Sequence, residues 1–97
     1  MKNIDEIKSI LRQHHSELEG RFKVKNIGVF GSYVRGEQRK RSDVDILVTF
    51  KGAVDFIQFI QLENHLSALL GLKVDLVTKG ALKPYIGKHI LEEVIYV

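Results

Sequence analysis

The 97-residue chain has no cysteine and a single proline, Pro84. Without cysteine there are no disulfides and no thiolate zinc site, which is consistent with a reducing cytoplasm. No apolar run approaches the ~20 residues of a membrane-spanning helix, so no membrane partner is expected. Asp5 and Glu6 stand near the start, where a secretory leader would carry an apolar core. There is no repeat, linker or low-complexity segment. What remains is ordinary: 44% hydrophobic and 28% charged residues, a length that suits one domain over 1–97 with one core, and a formal net charge of +3. That small excess suits an anionic ligand but does not by itself argue for nucleic-acid binding, and none is expected.

Apolar spacing predicts the elements. Ile4, Ile7, Leu11 and Leu18 recur at helical intervals, with Asn3 and Glu6 resembling a capping box. A helix is expected over residues 4–19, stopped by Gly20. His14 and His15 are adjacent and face different sides of that helix, whereas ligands would sit three or four apart, so both are taken as surface residues. Residues 24–30 form a strand, a short helix follows from Ser32 to about Gly36, and 37–41 is a charged loop. Residues 44–50 form a second strand. A helix from Val54 to Leu70 carries Phe56, Ile57, Phe59, Ile60, Leu62, Leu66, Leu69 and Leu70 on one broad face. Phe56 and Phe59 at this spacing are assigned to core packing rather than to base stacking. Leu72–Thr78 is a third strand with Asp75 inside its apolar run, and Lys79-Gly80 turns the chain. Pro84 suits the first turn of a last helix over Tyr85–Glu93. The apolar tail Val94–Val97 forms a short strand or packs on the core.

The stretch Gly31 to Val48 carries the chemistry. Asp43 and Asp45 open the second strand two residues apart and therefore share a face. Neighbouring carboxylates repel each other, and a hard divalent cation with oxygen ligands is the natural partner for the pair. Upstream, Gly31 lets a ligand approach the backbone closely. Ser32 is read as an N-cap whose helix presents N–H groups to an anion. Phosphate at one end and metal at the other suggest a nucleoside triphosphate with Mg²⁺. Among the cations Arg35, Arg39, Lys40 and Arg41, Arg35 is the best placed to meet phosphate, since it lies in the helical turn after the Gly-Ser pair. If Ser32 and Asp43 touch one triphosphate, the first two strands run antiparallel. The long helix can then return the chain so that the third strand lies parallel to the second.

Gly31-Ser32, ten intervening residues and Asp43-x-Asp45 resemble the motif of the DNA polymerase β-like nucleotidyltransferase superfamily. Arg35-Gly36 and Ser42 are similar to its minimal members, the MNT proteins paired with HEPN toxins. The resemblance implies an α/β (α+β) fold with a mixed sheet and helices packed against it. It implies in-line attack on the α-phosphorus of ATP, with two Mg²⁺ ions about 4 Å apart held by Asp43, Asp45 and a third carboxylate matching Asp75. Gly31 and Ser32 would hold the β- and γ-phosphates. It further implies a HEPN-domain toxin as partner in a hetero-oligomer, silenced when AMP is moved onto a tyrosine. Two alternatives stay open: an antitoxin that acts by binding alone, and nucleotide transfer to a small molecule.

Overall fold

The computed structural model describes residues 2–82 and 84–97. The chain begins with α1, Ile4–Gln13, whose start is capped by Asn3 accepting the Glu6 N–H at 2.9 Å. The single helix expected to residue 19 is broken. His14 leaves helical geometry (φ −102°, ψ 12°), and α2 runs from His15 to Phe22. The bend loses no backbone bond, because the His14 N–H donates to the Ile10 carbonyl and its own carbonyl accepts from Leu18. Nor does Gly20 stop the helix. A glycine inside a helix costs about 1 kcal/mol but does not end it. The end comes at Lys23, in left-handed geometry with φ 59°, where the chain must turn into the sheet. Both histidines lie off the core: His15 is exposed and paired with Glu19, and His14 is half-buried at the bend.

The strands are β1 (Val24–Phe30), β2 (Val44–Phe50), β3 (Val74–Thr78) and β4 (Ile95–Tyr96), in sheet order β3-β2-β1-β4. β1 is antiparallel to both β2 and β4, while β2 and β3 are parallel. These are the strand directions that the sequence implies, and the apolar tail supplies β4. Between β1 and β2 lies the four-residue helix α3, Ser32–Arg35.

α4, Phe56–Leu70, makes the parallel crossover. It starts later than the predicted Val54 because Asp55 and Gln58 form a reciprocal capping box at its entry. Leu62, Leu66 and Leu70 bury its inner stripe against Ile7, Leu11, Leu18, Ile27, Val29, Val44, Ile46 and Val48. Phe59 packs at the margin of this core. Phe56 does not join it, contrary to expectation: it is 75% exposed. It stands nearly two turns before the buried stripe begins at Leu62 and walls an open groove of about 420 Å³ with Phe50, Phe59, Leu76 and Val77. Two α4 side chains also reach the outer edge of β3. Ser67 Oγ accepts the Val74 N–H at 3.1 Å, and Glu63 Oε2 accepts the Leu76 N–H at 2.9 Å. A 3₁₀ turn, Lys79–Ala81, leads to α5, Pro84–Glu93, and then to β4. Among the described residues no helix is long and apolar enough to cross a membrane.

Candidate active site

Strand register brings the predicted residues together. Phe30 lies opposite Asp45 on β2, and Asp45 lies opposite Asp75 on β3. Gly31, one residue past Phe30, therefore sits over Asp45. A Cβ built on Gly31 would lie 2.1 Å from Asp45 Oδ2, and the residue holds φ 83°, ψ −154°. Only glycine tolerates both the conformation and the approach.

Gly31, not Ser32, is the N-cap of α3. Its carbonyl accepts the N–H groups of Val34 and Arg35, and Ser32 is the first helical residue, with no capping bond from its side chain. Glycine takes the cap because the chain leaves β1 in a conformation closed to serine. The loop from α3 to β2 is pinned at both ends. Tyr33 is buried, with its hydroxyl 3.5 Å from the Ser42 carbonyl oxygen, and Ser42 Oγ accepts the Arg39 N–H at 2.7 Å. This anchoring accounts for the spacing between Gly31-Ser32 and Asp43.

Of the three acids, Asp43 and Asp45 are half-buried and Asp75 is exposed. The apolar run around Asp75 suggests a buried position, but β3 alternates, with Val74 and Leu76 facing the core and Asp75 the opposite side. Burial pushes the Asp45 carboxyl up to about 6, and the charges of Asp75 and then Asp43 add to the effect; Arg35 opposes it. Lys73 Nζ stands 3.9 Å from Asp43, largely in solvent. Oxygen donors that repel one another at the end of a sheet fit a hard divalent cation. Among the described residues no three acidic or histidine side chains already converge as a metal shell, so an ion would have to draw these carboxylates inward.

Arg35 lies beside the site but is engaged elsewhere. Its Nη1 donates to Glu93 Oε1 at 2.6 Å, and its Nε donates to Glu37 Oε2 at 3.0 Å. Arg39, Lys40 and Arg41 are exposed on the loop. Glu93 is the residue that sequence reasoning missed. Its Oε2 accepts the Gly31 N–H at 3.0 Å, across 62 positions of sequence. The only local signal was an acid at the junction of a helix and an apolar tail. Arg35, Glu93, His89 and Glu92 line a cavity of about 470 Å³ next to the Gly31 loop. A second cavity of that size, lined by Arg21, Lys23, Gln58 and His65 among others, lies at the opposite end of β1.

The sequence matches a family model described as a nucleotidyltransferase domain over residues 4–97. It is 57% identical over 97 residues to the protein adenylyltransferase MntA of Thermococcus cleftensis, covering 100% of this chain and 98% of that protein. The fold is similar to a solved structure provisionally assigned as a minimal nucleotidyltransferase, with a TM-score of 0.75, 32% identity, and coverage of 92% of this chain and 93% of that one. It is also similar to a chain in a crystal structure of a toxin–antitoxin with AMP-PNP, with a TM-score of 0.70, 27% identity, and coverage of 98% and 72%.

Proposed function

The chain belongs to the nucleotidyltransferase domain family, and on that premise we propose that it transfers AMP from ATP to a hydroxyl of a partner protein, a tyrosine of a HEPN-type toxin, and so acts as the antitoxin of the pair in the cytoplasm. One observation carries the reading: Asp45 is in register with both Phe30, the residue before Gly31, and Asp75, so the strand ends bring the Gly31 loop to these two carboxylates, with Asp43 two residues before Asp45. The protein adenylyltransferase name of the Thermococcus relative and the AMP-PNP of the similar toxin–antitoxin structure support the donor and the kind of acceptor.

In this mechanism Gly31 and Ser32 bind the β- and γ-phosphates, where no side chain at residue 31 bars the approach. Asp43, Asp45 and Asp75 would hold Mg²⁺, which supplies charge neutralisation for the phosphates when bound. Asp45, packed beneath Gly31, sets the acidic cluster at a fixed place relative to the loop. Asp75 faces solvent beside it, so an acceptor hydroxyl arriving from outside meets this carboxylate and is oriented by it. The acceptor oxygen forms a bond to the α-phosphorus, the bond to the β-phosphate bridging oxygen breaks, pyrophosphate leaves with that electron pair, and the hydroxyl proton passes by way of the Asp75 carboxylate to solvent. Holding both reactants in line is the main contribution asked of the protein. Arg35 stands beside this loop paired with Glu37 and Glu93, so it meets phosphate only on leaving one of them.

The test is incubation of the protein with α-labelled ATP and Mg²⁺, with and without its partner toxin. Label on a toxin tyrosine is the expected result. Toxin silenced with no label on any protein would leave neutralisation by contact as the function, and label on a small acceptor alone would move the activity to a different substrate class.

A further inference from the structure

Glu93 has no part in the motif, yet it touches the residue at the motif's centre. Its two carboxylate oxygens are divided between two site groups: Oε2 accepts the Gly31 N–H at 3.0 Å and Oε1 accepts from Arg35 Nη1 at 2.6 Å. The Glu93 side chain is only 22% exposed. Both bonds involve an ionised partner, the class of hydrogen bond that is shorter and stronger than neutral ones. Gly31 is thus held from two sides, with Asp45 against its Cα and Glu93 on its N–H.

That arrangement matters because Gly31 occupies backbone space that a free glycine leaves readily. A loop that must meet phosphate oxygens within hydrogen-bond distance gains from being set beforehand. A bare carboxylate here would also repel a triphosphate. The Arg35 guanidinium on its second oxygen offsets part of that charge, the rest of its own being shared with Glu37.

We propose that Glu93 is a positioning residue for nucleotide binding: from the end of α5 it fixes the Gly31 peptide and parks Arg35, so that the phosphate loop is formed before ATP arrives. The inference rests on the nucleotidyl-transfer reading and deepens it by adding a residue from the far end of the fold to the site. The chemistry points to the loop rather than to the reacting atoms. Loss of Glu93 should therefore appear in ATP affinity and in KM for ATP, with kcat and the KM for the protein acceptor little changed.

Two readouts on the full chain test this: amide hydrogen exchange at Gly31, followed by NMR without ligand, and binding of AMP-PNP with Mg²⁺ by calorimetry. E93A should speed Gly31 exchange and weaken AMP-PNP binding about tenfold, the loss expected of one charge-assisted hydrogen bond. E93Q keeps one acceptor for the Gly31 N–H but turns its amide donor towards Arg35, so it should slow Gly31 exchange relative to E93A while still binding AMP-PNP more weakly than wild type. If E93A does not fold, E93D carries the test. One methylene shorter, it keeps the charge but cannot span both partners, and it should behave as E93A was expected to. E93A or E93D with unchanged Gly31 exchange and unchanged affinity, or with a lowered Tm alone, overturns the proposal. So does E93Q with Gly31 exchange as fast as in E93A, since an acceptor at that reach would then not be what sets the loop. A wild-type chain that protects Gly31 but binds no AMP-PNP overturns the nucleotide reading itself, and this inference with it.

Discussion

Replacing Gly31 by alanine tests the site at its tightest point. The backbone there, at φ 83° and ψ −154°, lies in a region essentially reserved for glycine, and a side chain costs about 1–3 kcal/mol. The new methyl would also stand 2.1 Å from Asp45 Oδ2 and 3.2 Å from Asp45 Cβ. The carboxylate can swing aside; the Cβ, fixed on a strand, cannot. Turning Asp45 off its rotamer adds about 0.5–1.5 kcal/mol. The total, about 2–4 kcal/mol, lowers Tm by roughly 8 °C or more at about 4–8 °C per kcal/mol for a domain of this size. Nucleotide transfer should fall about 100-fold or further, because Asp45 leaves its place beside the loop. Gly36→Ala is the control. It also has positive φ, 71°, but nothing lies within 4 Å of its would-be Cβ. It should cost about 1–2 kcal/mol and leave transfer by the folded protein intact. Thermal melts by circular dichroism and label transfer from α-labelled ATP read both effects. A Gly31→Ala protein with wild-type melting and wild-type transfer would refute the reasoning. So would a Gly36→Ala protein equally damaged in transfer.

Other perturbations follow from the same geometry. The Asp45 carboxyl is raised from 3.8 to about 6, so the folded chain holds that proton more tightly than the unfolded chain. The resulting stabilisation is complete below about pH 3.8 and lost as pH rises through about 6. In metal-free buffer Asp45→Asn should therefore melt above wild type at pH 7–8, with the gain fading towards pH 4; a gain independent of pH would contradict this. Asp75→Asn should reduce transfer by orders of magnitude and leave melting unchanged, since Asp75 is exposed; a large drop in Tm with transfer intact would remove it from the site. Ser32 caps nothing, so Ser32→Ala should raise KM for ATP with no loss of stability, and unchanged kinetics would leave it without a role. Glu63→Ala removes a charged acceptor from the Leu76 N–H and should cost about 1.5–3 kcal/mol. Concentration-dependent association should accompany the loss, visible by light scattering, because the β3 edge is uncovered.

Much of this was legible locally. The strands, their directions and the meeting of Gly31 with Asp45 follow from apolar runs and from the spacing of two short motifs. The mistakes share one cause, that periodicity records polarity and not surroundings. Ile4 to Leu18 keeps helical spacing through His14, where the backbone bends without losing a hydrogen bond. Phe56 sits at core spacing but ahead of the core. Asp75 lies between apolar neighbours that face the other way. Ser32 has the chemistry of a cap, but the strand exit needed glycine. Glu93 was missed because its hydrogen bond spans 62 positions, and an acid at the junction of a helix and an apolar tail does not name its partner.

That same separation orders events during folding. β1, β2 and β3 with α4 are contiguous in the sequence, so most of the sheet and its buried leucines can assemble before the last residues dock. The Gly31 loop cannot take its set form at that stage, because Glu93 and the strand pairing of β4 with β1 come from residues 93–96. A chain cut back before residue 93 would keep that body and bind nucleotide more weakly. The α5–β4 segment thus works as a latch on the loop, closed late in folding and separable from the core that carries it.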